Sequence, residues 1–498
     1  MEANIPKHAN KMSVSSNITE NAKNLKTRLG MDKSFDVCQR KLKILEKEVH
    51  IYFVNGLTDT QFMIEQLKGL MQLDDTEKRK DLNVISIKEK IQNHLVHVQV
   101  DPIKSLDEVI FFMLSGLMAV FIEGEDEALM IDVRSYPSRG PDEPDTERVV
   151  RGARDGYTEN IIVNTGLTRR RIRDERLRHE IMQVGQRSQT DICMSYIDGI
   201  ADPTLVEIIR KEIVSIDIDG LTMADKVVEE FIVKQGFNPF PMVRYTERPD
   251  VAATHLLEGH IIVFVDGSPS VIITPTTIFH HVQHAEEYRQ APAIGTFLRW
   301  VRYSGMLIAL FILPLWLLMV MQPSLLPEML EFIGPNDTNN VPIFAQIILA
   351  EIGIELLRMA AIHTPSPLAT ALGLVAALLI GDIAITVGLF TPEVILYVAL
   401  GAIGTFATPS YELGIALKIM RILLLTVVAI FKLPGFVIGT TLLILFLANI
   451  RSFNKPYLWP FLPLDPQAMW NILVRVAVPS VKRRPRITNP GDPIKQGE

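Results

Sequence analysis

Hydrophobic and polar positions divide the sequence into two contrasting parts. Up to about residue 302, short apolar runs alternate with amphipathic stretches, which predicts the strands and helices of a water-soluble domain. From 303 to 450, apolar residues run almost without interruption, with 12 charged side chains among 148 positions. This part predicts a helical membrane domain with five or six spans. The candidate spans are about 304–321, 343–358, 368–389, 394–410, 413–431 and 435–450, with Pro434 and Gly435 between the last two.

An internal duplication organises the soluble part. At an offset of 143 residues, YFVNGLTD at 52–59 aligns with SYIDGIAD at 195–202. At the same offset, DEVIFFMLSGLMAVFIEG at 107–124 aligns with DVAATHLLEGHIIVFVDG at 250–267, and each run contains a hairpin signal at an acidic-Gly turn. The predicted fold class is α+β with a helical membrane part. It consists of two duplicated α/β cytoplasmic subdomains joined by an Arg-rich helical connector and followed by the membrane spans.

Changes in composition predict the domain boundaries. Residues 1–40 are polar and are expected to form a flexible N-terminal lead-in. Basic residues flank the first and last spans and are absent from the loop at 322–340, so both ends of the membrane domain are expected on the cytoplasmic side. The remaining predicted segments are the first α/β subdomain at 41–133, the connector at 134–190, the second α/β subdomain with a pre-membrane segment at 191–298, the helical transmembrane domain at 299–453 and a basic cytoplasmic tail at 454–498.

The connector is rich in arginine. Residues 134–190 contain 12 Arg, no Lys and 9 acidic residues. Such a cluster can bind nucleic acid or anionic lipid, but interleaved carboxylates favour ion pairs within the protein, and the net charge of −7 disfavours nucleic acid. We therefore expect no nucleic-acid binding, and a role in the assembly of subdomains or subunits for Arg151, Gly152, Arg154, Arg169, Arg170 and Arg171.

Ionisable residues inside the apolar part indicate a function, because placing them in hydrocarbon is costly. The spacing of Glu351, Glu355 and Arg358 puts all three on one face of a helix. One hypothesis is that this face lines a pore together with the apolar Ile348 and with Asp382 of the next span. The alternative is that Glu355 pairs with Arg358 three residues along the helix, near a membrane surface, and that Asp382 caps a helix break.

Motifs of catalysis and cofactor binding are absent from the sequence. It contains no P-loop, dinucleotide-binding loop, zinc-protease motif, serine-hydrolase elbow or CxxC pair. Cys38 and Cys193 have no metal-binding spacing and fit a reducing compartment. The cluster His280, His281 and His284 puts only two rings on one helical face, so we interpret it as polar surface. We expect no enzymatic activity, no cofactor and no metal site.

Several long motifs resemble a known family. The segment TERVVRGARDGYTENIIVNTGLTRRRIRD at 146–174 is similar to the connector of the A subunits of bacterial spore germination receptors, the GerA family. YIDGIADPTLV, RYTERPD, LLEGHIIVFVDGSP and PSYELGIALKIMR follow in the family's order. The resemblance covers about 40–465, and Ala153 departs from it by replacing a Pro.

The resemblance implies a location, an assembly and an activity. It implies a multi-pass protein of the spore inner membrane that forms a homo-oligomeric ring, a pentamer, and conducts monovalent cations across the lipid bilayer at germination. The segments RDERLRHEIMQVGQRSQTDICMSYIDG and HHVQHAEEYRQAP resemble a sporulation branch of the family. That branch implies amplification of a response that other germination proteins of this membrane start.

Three classes of function stay open on the residues alone. The first is an oligomeric ion channel subunit with a cytoplasmic assembly domain. The second is a secondary transporter whose intramembrane carboxylates bind protons or cations, although no repeat is visible within 303–450. The third is a non-conducting membrane scaffold for germination proteins. Ionic current in a reconstituted bilayer separates the first class from the third.

Overall fold

The chain forms two units in the computed structural model, which describes residues 12–77, 100–135, 147–326, 333–335, 341–363 and 383–496 and the single positions 329 and 373. The first unit contains Met1–Lys234, Val243–Pro275 and Val478–Glu498. The second contains Gln235–Met242 and Thr276–Ala477. The predicted tail at 454–498 is therefore divided between the units, and the second unit begins before the predicted boundary at 299.

The first unit begins with a five-stranded sheet covered by helices on both faces. The strand order is β1-β2-β4-β5-β3, and all neighbouring strands are antiparallel. Alternation along β4 sends Ala119 and Phe121 towards α1 and α3, and Val120 towards α2. The elements are α1 (Ile18–Leu29), β1 (Val37–Ile44), β2 (Lys47–Val54), α2 (Thr60–Glu77), β3 (Val100–Ile103), α3 (Leu106–Leu114), β4 (Met118–Ile122) and β5 (Ala128–Ile131).

A second sheet repeats this arrangement. Its order is β6-β7-β9-β10-β8, which matches the first sheet strand for strand, so the predicted duplication is confirmed. The elements are α4 (Ile161–Arg171), β6 (Leu177–Val184), β7 (Thr190–Ile197), α5 (Pro203–Val214), α6 (Ala224–Val233), β8 (Arg244–Thr246), α7 (Pro249–Leu257), β9 (Ile261–Val265) and β10 (Val271–Thr274).

The repeat is longer than the sequence predicts, because it includes a first helix in each copy. Asn17 caps α1 and Asn160 caps α4, 143 residues apart, and the buried side chains of Asn21 and Asn164 make equivalent hydrogen bonds to the chain before each cap. Two predicted boundaries are therefore wrong. The lead-in at 1–40 contains a helix of the first copy, and the connector at 134–190 contains α4 and β6 of the second copy.

The second unit is mainly helical. Two of its helices, α10 and α14, are long and apolar enough to cross a membrane, and α13 is a shorter apolar helix. The elements are α8 (Ile278–Val282), α9 (Ala285–Arg289), α10 (Pro292–Met321), α11 (Ile343–His363), α12 (Ala384–Thr386), α13 (Pro392–Phe406), α14 (Tyr411–Asn449), β11 (Arg451–Ser452), β12 (Lys455–Pro456) and α15 (Pro466–Leu473).

Among the described residues, two helices are long and apolar enough to cross a membrane. The prediction of five or six membrane spans is therefore wrong for this part of the chain. α11 is long enough but carries Glu351, Glu355 and Arg358, and α13 has only 15 residues. Most of the candidate span at 368–389 lies outside the described residues.

The helix α14 folds back on itself. Lys432 has φ 54° and ψ −132°, which is not helical. A methyl group on Gly435 would lie 2.5 Å from the carbonyl oxygen of Val427, and one on Gly439 would lie 2.7 Å from the side chain of Leu424. Residues eight positions apart on a straight helix are about 12 Å apart. The two halves of α14 are therefore antiparallel, as the Pro434-Gly435 break predicts.

The histidines before α10 are part of the core of the second unit. His280 and His281 lie on α8 and are buried. The ring of His280 accepts a hydrogen bond from the backbone N–H of Thr277 at 3.0 Å and completes a capping box at the start of the helix. The interpretation of these two residues as polar surface is wrong.

Candidate functional site

Five ionisable side chains meet where α11 packs against the first half of α14. α11 contributes Glu351, Glu355 and Arg358 from one face, and α14 contributes Lys418 and Arg421, which are three residues apart. Residues three or four positions apart on a helix lie on the same side, so both sets face a common interface. We refer to these five residues as the ion-pair cluster.

Glu351 and Arg421 form the buried centre of the cluster. Nη2 of Arg421 lies 2.8 Å from Oε1 and 3.0 Å from Oε2 of Glu351, and the two side chains are 1% and 2% exposed. Nη1 of Arg421 also donates to the carbonyl oxygens of Ala309 on α10, at 2.5 Å, and Gly401 on α13, at 3.2 Å. A methyl group at Gly401 would lie 3.0 Å from Nη1, so glycine leaves room for the guanidinium. Arg421 thus joins four helices.

Lys418 continues the cluster towards the end of α11. Its Nζ lies 3.2 Å from Oε2 of Glu351 and 2.9 Å from Oε2 of Glu355. Glu355 also pairs with Arg358, whose guanidinium carbon lies 4.7 Å from the ring centroid of Tyr411. Opposite charges therefore alternate along the interface, with three cationic groups and two carboxylates.

The structure gives the sequence-predicted residues different surroundings. Glu355 and Arg358 pair along the helix, as the alternative interpretation has it, while Glu351 contacts residues of α14 that the sequence analysis did not single out. The signal for these residues is a Lys and an Arg three positions apart within the apolar run PSYELGIALKIMR. Ile348 is half-buried, and Asp382 lies outside the described residues.

A neighbouring face of α11 is apolar and exposed. Leu349, Ile352, Leu356 and Met359 are between 45% and 58% exposed and follow helical spacing. Charged residues inside and apolar residues outside invert the arrangement of a soluble protein and are typical of a membrane bundle. Because of this inversion, a move of the charged groups towards solvent would need a rotation of α11.

A second group of ion pairs joins the two copies in the first unit. Nε of Arg169 on α4 donates to Oδ2 of Asp36 at 2.9 Å, and both side chains are 1% exposed. The guanidinium of Arg178 donates to the carbonyl oxygens of Arg28 and Leu29 at the end of α1, at 3.3 Å each. Cationic groups stabilise the carbonyl end of a helix, so Arg178 caps α1 from the second copy.

The other arginines predicted to act in assembly lie elsewhere. Arg171, the last residue of α4, pairs at 2.7 Å with Asp155, which precedes that helix. Arg151, Gly152, Arg154 and Arg170 are exposed. The pair that bridges the copies uses Asp36, which precedes β1 and has no sequence signal that identifies it as a partner of Arg169.

His179 lies beside the Arg169–Asp36 pair, and its burial is expected to make the stability of the first unit depend on pH. Its Nδ1 is 2.6 Å from Oγ of Ser195, and burial lowers the pKa of His179 to about 3, despite the attraction of Asp36. The unfolded chain binds a proton here below about pH 6.5 and the folded chain does not, so the free energy of unfolding decreases as pH falls. We expect a loss of about 2 kcal/mol between pH 7 and pH 5 from this residue.

Denaturant unfolding of the full chain at the two pH values measures this loss, and a His179→Gln variant should show a smaller one. His255 and His260, whose pKa values burial also lowers, are expected to contribute to the pH dependence of the free energy of unfolding that remains in this variant. If the variant lost as much free energy of unfolding between pH 7 and pH 5 as the unchanged protein, His179 would not be responsible for the loss.

Comparisons with known proteins identify relatives over almost the whole chain. A family profile described as Bacillus/Clostridium GerA spore germination protein matches residues 23–487. The chain is 58% identical to stage V sporulation protein AF of Bacillus subtilis (strain 168), over 98% of both chains. It is 30% identical to spore germination protein KA of the same organism, over 96% of this chain and 88% of that protein.

A solved structure resembles the first part of the chain. It is the N-terminal domain of the A subunit of the Bacillus megaterium spore germinant receptor GerK3, with 29% sequence identity. The match covers 54% of this chain and 98% of that domain, with a TM-score of 0.43.

Proposed function

This chain belongs to the GerA family of spore germination proteins, and we propose that it acts at germination as a subunit of an oligomeric ion channel in the spore inner membrane. In this proposal several copies form a ring, a pentamer, around a path for monovalent cations. The ring acts with other germination proteins of the same membrane and amplifies a response that they start. The first unit lies on the core side of the membrane.

The ion-pair cluster is the observation that supports this proposal best. Burying an ion costs several kcal/mol, and a well-packed apolar replacement of a buried ion pair is often as stable. Ionisable groups held between apolar helices are therefore more typical of an ion path or a switch than of a purely structural core. The Glu351–Arg421 pair, which links four helices, is the centre of this arrangement.

The two faces of α11 suggest how such a channel could close and open. In the closed ring, the apolar stripe with Leu349 and Ile352 faces the axis, beside Ile348, and excludes water. Rotation of α11 about its axis would bring Glu355, the less buried carboxylate, towards the path. Rings of carboxylates attract cations and favour their passage over anions.

The exposed apolar surface of α14 supports a location in the membrane. Only 22% of the most apolar 18-residue stretch of this helix is buried inside the protein, whereas the core helix of a soluble protein would be mostly buried. Leu423, Ile430, Val437 and Leu442 are each more than half exposed and would contact lipid or a neighbouring subunit.

Electrical recording from the full chain reconstituted in planar bilayers tests the proposal. We expect currents carried by K⁺ and Na⁺, and a lower cation conductance or selectivity in a Glu355→Gln variant, because a ring of charge is removed. The matched control is Glu65→Gln, an exposed position on α2 of the first unit. Projection images of the same preparations report whether rings are intact.

The other two classes of function predict different recordings. Intact rings that carry no current under any condition would favour a scaffold. Movement of ions that requires a proton or substrate gradient would favour a secondary transporter. Equal conductance in the Glu355→Gln variant and the control would remove α11 from the ion path.

A further inference from the structure

In the two copies of the first unit, different segments of the chain pack over the same corner of the fold. In the first copy, this corner is the turn after β2. A methyl group on Gly56 would lie 2.6 Å from the carbonyl oxygen of Ile162, and one on Gly166 would lie 2.6 Å from the carbonyl oxygen of Gly56. The backbone N–H of Ser135 donates to the carbonyl oxygen of Leu57 at 2.9 Å. The helix α4 and the chain that leaves β5 thus cover the corner together.

The C-terminal segment covers the same corner of the second copy. The residues equivalent to Gly56 and Leu57 at an offset of 143 are Gly199 and Ile200. The backbone N–H of Gly491 donates to the carbonyl oxygen of Ile200 at 2.9 Å, and a methyl group on Gly491 would lie 2.7 Å from the carbonyl oxygen of Gly199. Gly491 therefore replaces both Ser135, as hydrogen-bond donor, and Gly166, as the glycine that allows close approach.

At a third position, too, the C-terminal segment takes the place that residues 134–135 have in the first copy. The side chain of Arg134 lies against Gly116 in the first copy, 3.1 Å from the position of a methyl group there. In the second copy, Oγ1 of Thr488 lies 3.2 Å from the corresponding position on Gly259. The equivalence thus extends over three separate points of the corner, which a random surface contact would not reproduce.

The path of the chain explains why a distant segment is needed. After β5, the first copy continues directly through residues 134–135 and covers its own corner. After β10, the second copy ends at Pro275, and the residues equivalent to 134–135 belong to the other unit. The corner of the second copy is consequently left to another segment.

We propose that this corner, formed by Gly199, Ile200 and Gly259, is a docking surface for a peptide segment that carries a glycine, and that Thr488–Gly491 is its resident ligand. Three further contacts fix the segment. Oγ1 of Thr488 donates to the carbonyl oxygen of Glu258 at 2.7 Å, Nδ2 of Asn489 donates to Oδ2 of Asp202 at 3.2 Å, and Nζ of Lys495 pairs with Oε1 of Glu258 at 2.6 Å.

Gly491 determines the specificity of this surface. Helix α1 of a neighbouring subunit cannot replace the C-terminal segment on this surface, because the residue of α1 equivalent to Gly166 is Lys23. A side chain at that position would meet the carbonyl oxygen of the turn, as the distance at Gly491 demonstrates. The surface thus accepts the C-terminal segment of the chain and excludes helix α1 of a neighbouring subunit.

Substitution of Gly491 by Ala in the full chain tests the fit. The added methyl should displace the segment, so we expect cleavage by a protease C-terminal to Val478 to become about tenfold faster, which corresponds to about 1.4 kcal/mol. Gly220→Ala is the matched control, because its methyl would meet the nearest atom at an ordinary 3.5 Å. Equal cleavage rates in the two variants would overturn the proposal.

A binding measurement gives an independent readout. A synthetic peptide of residues 478–498 should bind a chain that ends at Ala477, and the same peptide with Gly491→Ala should bind about tenfold more weakly. The full chain, whose own segment occupies the surface, should bind little of either peptide. Equal binding of the two peptides to the shortened chain would contradict the assignment of the surface.

Discussion

Replacement of Arg421 by Met should strongly destabilise the second unit. The substitution leaves the carboxylate of Glu351 buried without its main counter-ion and removes two hydrogen bonds to carbonyl oxygens. Breaking a buried pair in this way costs about 3–5 kcal/mol. Thermal unfolding of the purified chain in detergent measures the effect.

A double-mutant cycle separates the pair from its surroundings. Glu351→Gln alone should also destabilise the unit, but Glu351→Gln combined with Arg421→Met should be less destabilised than Arg421→Met alone, because no unpaired charge remains. Arg358→Met is the control for loss of a more exposed charge and should cost at most about 1 kcal/mol. Strictly additive effects in the cycle would show that Glu351 and Arg421 do not interact.

Replacement of Arg169 by Met should separate the two copies of the first unit. It leaves Asp36 buried beside the neutral ring of His179, so we expect a loss of about 3–5 kcal/mol. Denaturant unfolding of the full chain, followed by a signal from the first unit, measures this loss. Asp36→Asn should have an effect in the same direction.

Arg173 provides the matched control for this experiment. It lies just beyond the end of α4 and is exposed, so Arg173→Met should change the free energy of unfolding by less than about 0.5 kcal/mol. If Arg169→Met and Arg173→Met had equal effects, the buried pair would not hold the copies together.

Local patterns in the sequence predicted much of the fold. Apolar alternation and the acidic-Gly turns predicted the hairpins of both copies, and the repeated motifs predicted their common architecture. The pairing of α1 with α4 was missed, because their shared features are the two pairs of asparagines rather than an apolar pattern. A capping residue is a short polar signal that also occurs in loops.

The contacts of the charged residues could be predicted only where they are local. The spacing of Glu355 and Arg358 indicated their pair directly. The partner of Glu351 is 70 positions away along the chain and that of Arg169 is 133 positions away. Such pairs depend on how helices and sheets pack, which hydrophobic periodicity alone does not determine.

The bonds by which Arg421 links α14 to three other helices have a mechanical consequence. A shift of α11 that separates Glu351 from Arg421 would leave a buried guanidinium that has lost its anion and whose remaining bonds are to α10 and α13. None of the four helices can then change position without disturbing the bonds of the others. These helices would consequently switch between two discrete arrangements rather than through a continuous series, and a weak perturbation would leave them in the first arrangement until a threshold is passed.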